Sequence, residues 1–364
     1  MLTLPTMYDR AMQTLYALAL EPIAETNADT ISFGFRRGRS AKDACEQVFC
    51  VLARDCSPKW ILEGDIKGCF DNINHDWLQS NIPMDKRIMK QFLKSGFIYR
   101  GELFPTETGS PQGGAISSLY ANMTLDGLQK VIQDKYHRNS RGRITNHYRA
   151  KTKVNLVRYA DDFIITANSK ETAEELKKVV SSFLETRGLM LSEEKTMITH
   201  IDDGFDFLGW SFRKFKGKLI VKPSKDSIKS LIRKCSIIIL KEGKASTQSE
   251  LIRRLNLVLK GWTNYHKHAV ASHAFSYINN ILYLLLQRWV KHRHPNKNQW
   301  WRLHRYWHVK DGKPWVFMTD DYTLINLRKI KIIRHPKLQI SKTPLLDRHY
   351  YLKRRIKLRM LNAA

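Results

Sequence analysis

Long apolar runs are missing from this chain. Nowhere do the ~18 consecutive apolar residues of a membrane span occur. The apolar stretch from Ala11 to Leu20 is bracketed by Asp9 and by Glu21-Pro22, which suits a helix better than a signal peptide. Cysteine is scarce. The five present (Cys45, Cys50, Cys56, Cys69 and Cys235) are odd in number and include no Cys-x-x-Cys pair. This argues against a disulfide framework and against a zinc site, and suits a reducing cytoplasm. Acids are almost absent from one half. Residues 211–364 hold 35 Lys/Arg against 7 Asp/Glu, whereas residues 1–210 hold 27 of each. The whole formal charge of +28 thus resides in the second half. A polyanionic partner is expected there, beside an electrically balanced body. That charge is spread over several segments with no single amphipathic anchor, so no membrane partner is expected. No internal repeat at a fixed period is present.

Two acidic stretches stand out. Leu156-Val157 and Phe163-Ile164-Ile165 read as strands, with Tyr159-Ala160-Asp161-Asp162 between them where a hairpin would turn. A solvated acidic hairpin tip is the plain alternative for such a pair. Upstream, Trp60-Ile61-Leu62 leads into Asp65 as a buried strand would. If the two stretches pair, Asp65 faces Asp161 and Asp162. Three carboxylates with oxygen-only ligands suit two Mg²⁺ ions about 3.5–4 Å apart, the arrangement used for in-line displacement at phosphorus.

Other blocks follow in order. Ser32-Phe33-Gly34-Phe35-Arg36-Arg37-Gly38-Arg39-Ser40 is a Gly/Arg loop before a helix from about Ala41, and Arg36, Arg37 and Arg39 are candidate phosphate contacts. Thr108 to Gly114 is a Gly/Pro loop containing Gln112. Lys135 to Arg158 carries eight Lys/Arg and no acid, with Arg141, Arg143 and Lys153 as candidate nucleic-acid contacts, or else a solvated basic loop. Helices are expected over Thr6–Ala24, from Trp77 to about Phe104, over Ala115–Val131 and over Glu171–Arg187. Phe205 to Phe212 reads as a short strand pair. From Lys222 the spacing changes to three basic amphipathic helices, with stripes at Leu231/Cys235, Leu251/Leu255/Leu259 and Phe275/Ile278/Leu282/Trp289. Thr247-x-x-Glu250 is a capping-box signal. Trp300, Trp301, Tyr306, Trp307 and Trp315 are either base-stacking residues or packing for the tail. Residues 326–359 are basic with little periodicity.

The two acidic stretches, the Thr108–Gly114 loop and Gly204–Trp210, taken in this order, resemble the reverse transcriptase/maturase proteins encoded by bacterial group II introns. The resemblance runs from residue 2 to roughly residue 330. It implies an α+β right-hand polymerase: partial fingers over 1–59, a palm with antiparallel sheet over 60–220, a helical thumb or maturase domain over 221–318 and a basic, DNA-binding-like tail over 319–364. It implies RNA-templated DNA synthesis, with Asp65, Asp161 and Asp162 catalytic and holding two Mg²⁺ ions, for which Mn²⁺ can substitute, together with the Ile66 carbonyl. Phe70 would stack under the sugar and select deoxynucleotides, Gln112 would line the nucleotide pocket, and Lys195 would approach the phosphates. The implied partners are group II intron RNA, an RNA template with a DNA primer, target DNA and dNTPs, in a cytoplasmic, nucleoid-associated ribonucleoprotein. The family's N-terminal basic stretch and zinc-supported endonuclease module have no counterpart in these residues. Two other readings therefore stand beside the first: a catalytically impaired RNA-binding maturase fragment, or a reverse transcriptase recruited to phage defence or CRISPR adaptation.

Overall fold

The computed structural model describes residues 5–110, 113–139, 141–144, 152–310 and 313–363. It mixes helices with antiparallel sheet and separates into two compact units. One comprises residues 1–208, 213–219 and 336–359. The other comprises 209–212, 220–335 and 360–364.

The first unit begins with α1 (Met7–Asn27), capped by the Thr6 hydroxyl accepting from the Asp9 N–H. It continues through α2 (Ala41–Leu52) to β1 (Trp60–Gly64). Then come the short α3 (Cys69–Asn72), α4 (His75–Asn81) and α5 (Lys86–Leu93). The expected helix to Phe104 ends early. Gly96 adopts φ +69°, and the chain turns into a hairpin of β2 (Phe97–Tyr99) and β3 (Glu102–Phe104), with Arg100 and Gly101 both left-handed at its tip. The helix expected over Ala115–Val131 is also two: α6 (Ser117–Leu125) and α7 (Leu128–Tyr136), divided at Gly127, whose φ of +96° no helix permits.

Next come β4 (Asn155–Tyr159), β5 (Asp162–Ala167), α8 (Lys170–Glu185) and β6 (Met197–His200). The main sheet has the order β4-β5-β1-β6, and all three pairings are antiparallel. Both central strands are apolar, because the sheet is covered. Helix α8 lays Ala173, Leu176, Val180, Phe183 and Leu184 into the core. Burying each large side chain contributes about 1.5–3 kcal/mol. At Gly64 the Phe163 ring lies where a side chain would be, so the cross-strand neighbour fills the gap.

A three-stranded sheet follows, of β7 (Phe205–Phe207), β8 (Trp210–Phe215) and β9 (Lys218–Pro223). The second unit is helical. α9 (Lys225–Ile237) runs into a π-type turn, followed by α10 (Gln248–His266) and α11 (Ser272–Arg293). Their stripes form one core, including Leu231, Cys235, Leu251, Leu255, Leu259, Phe275, Ile278, Leu282 and Trp289. The Thr247 hydroxyl caps α10 by accepting from the Glu250 N–H. α12 (Gln299–Tyr306) and a hairpin of β10 (Trp307–Lys310) and β11 (Lys313–Phe317) complete it.

The basic tail, which shows little periodicity in sequence, contains a helix. Residues 336–359 return to the first unit and include most of α13 (Arg348–Ala363). There Arg354 and Asp43 form a buried ion pair, and the Arg39 guanidinium donates to the Ile340 carbonyl at 3.0 Å. None of the described helices is long and apolar enough to cross a membrane.

Candidate active site

The two acidic stretches meet through strand register. β4 and β5 pair Tyr159 with Asp162, so Ala160 and Asp161 form a two-residue turn. Ala160 adopts φ +56°, the left-handed conformation that the first residue of such turns requires. β1 pairs with β5 up to Gly64–Phe163, and continuing that register sets Asp65 beside Asp162. Asp65 therefore lies at the same sheet end as Asp161 and Asp162.

Electrostatics record this gathering. Asp162 is pushed up to about 6, by desolvation first and then by the charges of Asp161 and Asp65. Asp161 is also raised by desolvation, with Asp65 adding to the shift. The cationic neighbour is Lys195, whose Nζ donates to Asp65 Oδ2 at 3.1 Å, and this bond raises the lysine in turn. Residues 190–192 deliver that lysine. The Lys67 N–H donates to the Met190 carbonyl at 3.0 Å, and the Ser192 N–H to the Asp65 carbonyl at 2.8 Å. These bonds flank Ile66. Its side chain is buried, and its carbonyl is a partner in neither.

Asp161 and Asp162, raised by burial and by neighbouring carboxylate charge, call for positive charge, and one exposed lysine supplies little of it. In donor chemistry the site fits a hard divalent cation. Among the described residues, however, no group of three His, Cys, Asp or Glu side chains is closed into a metal cage.

The turn is braced from beneath by residues that sequence reasoning missed. Arg158 is fully buried on β4. Its guanidinium donates to Asp126 Oδ1 at 2.5 Å, to Asn122 Oδ1 at 3.3 Å and to the Ala160 carbonyl at 3.3 Å. The Asn122 amide donates to the Gly34 carbonyl at 2.9 Å, and the Phe33 N–H donates to the Arg158 carbonyl at 2.9 Å. Gly34 thereby lies against the turn so closely that a Cβ would overlap the Ala160 nitrogen. The available signal was Arg158 itself, a charge between apolar strand residues that had to find a buried partner.

Phe70 is half-buried on α3, edge-on to Phe35 with centroids 6.3 Å apart. The Gly/Pro loop packs on the same segment. The Ser110 N–H donates to the Phe70 carbonyl at 2.6 Å, and a Cβ at Gly109 would come within 2.5 Å of Phe70 and Asp71 backbone atoms. Gln112 lies outside the described residues.

The basic candidates divide. Arg36 and Arg39 do not reach outward as expected. Arg36 grips Glu25 with two hydrogen bonds of 2.6 and 2.8 Å, both side chains buried, and Arg39 donates to the Thr30 carbonyl at 2.6 Å. Glu25 and Asp29, which close off the first of these, sit upstream of the loop, where reading the loop alone could not count them. Lys153 donates to the Cys56 carbonyl. Arg37 is exposed in a 2.5 Å pair with Glu21. Arg141 and Arg143 are exposed on a tight turn, whose backbone N–H groups donate to Asn139 Oδ1 at 3.0 Å.

A reverse transcriptase (RNA-dependent DNA polymerase) family model matches residues 1–212, and a group II intron, maturase-specific domain matches residues 228–307. The group II intron-encoded protein LtrA of Lactococcus lactis subsp. cremoris is 32% identical over 367 residues, covering 78% of this chain and 60% of that protein. Protein YkfC of Escherichia coli (strain K12) is 34% identical over 235 residues, covering 57% and 61%. The chain thus spans about three fifths of the length of these relatives. Among solved structures, telomerase from Candida albicans with a fragment of telomeric RNA matches at TM-score 0.42 and 13% identity, over 81% of this chain and 56% of that one.

Proposed function

The chain belongs to the group II intron reverse transcriptase/maturase family, and on that premise we propose that it synthesises DNA on an RNA template. The observation that carries this reading is the strand register that gathers Asp65, Asp161 and Asp162 at one sheet end. Asp65, Asp161 and Asp162, with the Ile66 carbonyl, would hold divalent cations, Mg²⁺ as a pair with Mn²⁺ as substitute. Bound there, the ions would activate the primer hydroxyl and neutralise charge developing on the phosphate. The protein's own part is to gather and orient the carboxylates, with Arg158 fixing the turn through the Ala160 carbonyl. Phe70 would lie under the sugar, where an aromatic ring leaves no room for a 2′-hydroxyl. Gln112 would line the pocket, and Lys195 would meet the nucleotide phosphates. The basic second unit would hold RNA, including intron RNA, in a cytoplasmic ribonucleoprotein, and target DNA is a further partner of this reading. Arg37, Arg141 and Arg143 remain as surface contacts for phosphate.

The test is extension of a DNA primer on an RNA template with dNTPs and Mg²⁺. Wild type should extend, and Asp161→Ala should reduce the rate by at least about a hundredfold, the scale of losing transition-state charge stabilisation. No extension by the wild type, or unchanged extension by the variant, rejects polymerisation. A second reading is favoured by one observation: Lys195 engages Asp65 at 3.1 Å. On it the chain aids intron splicing as an RNA-binding maturase. Splicing that proceeds unaffected by Asp161→Ala, without extension, would establish that reading.

A further inference from the structure

The five aromatics around residue 300 separate into two groups. Tyr306 and Trp307 are buried, packed with Phe317 and Trp289 in the core of the second unit. Trp300, Trp315 and Trp301 remain 67%, 43% and 38% exposed. Tryptophans with no core role are costly to leave in water, and such patches mark interaction sites.

Backbone features gather two of these rings and a histidine. Trp300 and His304 are four residues apart on α12 and share a face, and the His304 Nδ1–H donates to the Trp300 carbonyl at 2.9 Å. Trp315 reaches the same face from β11. In a regular strand it would share a side with Phe317, two residues on. Instead Trp315 adopts φ +65°, opposite a register shift between His308 and Lys310. A left-handed tryptophan is strained, and a bulge re-aims side chains. Together they turn Trp315 out of the core to within 5.4 Å of His304 and 6.5 Å of Trp300, centroid to centroid. Beside it, the Lys297 ammonium lies 5.3 Å over the Trp301 ring. Residues 291–308 hold five Lys/Arg and no acid.

From this we infer that Trp300, His304 and Trp315 form a stacking platform for unpaired nucleobases, a site for single-stranded nucleic acid on the basic unit. Every base has a π-face, so stacking accepts any sequence, and the surrounding cations meet the backbone phosphates. A duplex hides its base faces and cannot use the platform. The inference rests on the nucleic-acid reading of the basic half, and not on polymerisation.

The test uses the full chain, without nucleotides or divalent cation, and labelled 12-nucleotide single strands of RNA and of DNA beside a duplex of the same sequence. Replacing Trp300→Ala together with Trp315→Ala should weaken single-strand binding about tenfold or more, while duplex affinity stays within about twofold. The paired Trp300→Phe and Trp315→Phe variant keeps two π-faces and should bind single strands nearly as wild type does. The RNA and DNA arms show which backbone the site takes. Unchanged single-strand binding in the alanine variant overturns the inference, as does an equal loss for single strand and duplex. Failure of primer extension by the wild type would reject the polymerase reading and leave this measurement intact.

Discussion

Gly34 has no room for a side chain, because a Cβ there would come within 2.3 Å of the Ala160 nitrogen. Gly34→Ala must therefore displace either the Gly/Arg loop or the acidic turn. The expected result is a loss of about 1–3 kcal/mol of stability, the usual range for overpacking, with a larger loss of primer extension. Thermal melting and extension measured together check it, and normal extension would show that the turn tolerates displacement. Asp162 gives the second prediction at this scale. Its pKa is raised from the ordinary 3.8 to about 6, so protons compete with divalent cations over that interval. Calorimetric Mg²⁺ affinity should rise as pH climbs through about 6, and Asp162→Asn should remove that dependence. Stability without cation runs the other way. A carboxyl raised in the folded state favours the protonated form, so its stabilising contribution is lost as pH rises from 3.8 to about 6.

Elements show where sequence was legible and where it was not. The Tyr159–Asp162 turn, the strand ending before Asp65 and the three-helix core could be read directly, since each rests on local periodicity and turn chemistry. The β2–β3 hairpin was hidden because Phe97–Phe104 is too short to show a period, leaving only Gly96 and Gly101 as signals. Arg36 and Arg39 were misread for a different reason: a charge's partner is a tertiary fact. Helix α13 carries the same lesson. Its segment reads as basic with little periodicity, yet it is a helix whose Arg354 is buried against Asp43 of α2. Removing one partner from a buried pair costs about 3–5 kcal/mol, because the other charge stays buried without its counter-ion. Arg354→Ala should therefore lower the denaturant midpoint sharply. Arg354→Met with Asp43→Leu should recover most of that loss. A surface-like change in the single variant would show that the pair is solvated.

At the scale of the molecule, charge and architecture divide along different lines, because the basic segments 213–219 and 336–359 belong to the first unit. The +28 lies wholly in residues 211–364. Contact with about 6–10 phosphates would cost roughly 10³–10⁵ in affinity between about 50 and 200 mM salt. RNA binding by the full chain should show that steepness in a salt titration, and a loss below about tenfold would mean the charge serves some other purpose. The return of residues 336–359 has a temporal consequence. The unit holding the three aspartates receives its last segment only after residues 220–335 have been translated. At about 5–20 residues per second, that delay is on the order of ten seconds on the ribosome. Through that interval a nascent chain carries Asp43 without its arginine, and a stall or nick within 220–335 would strand it there. Folding of the first unit thus waits on translation of the second.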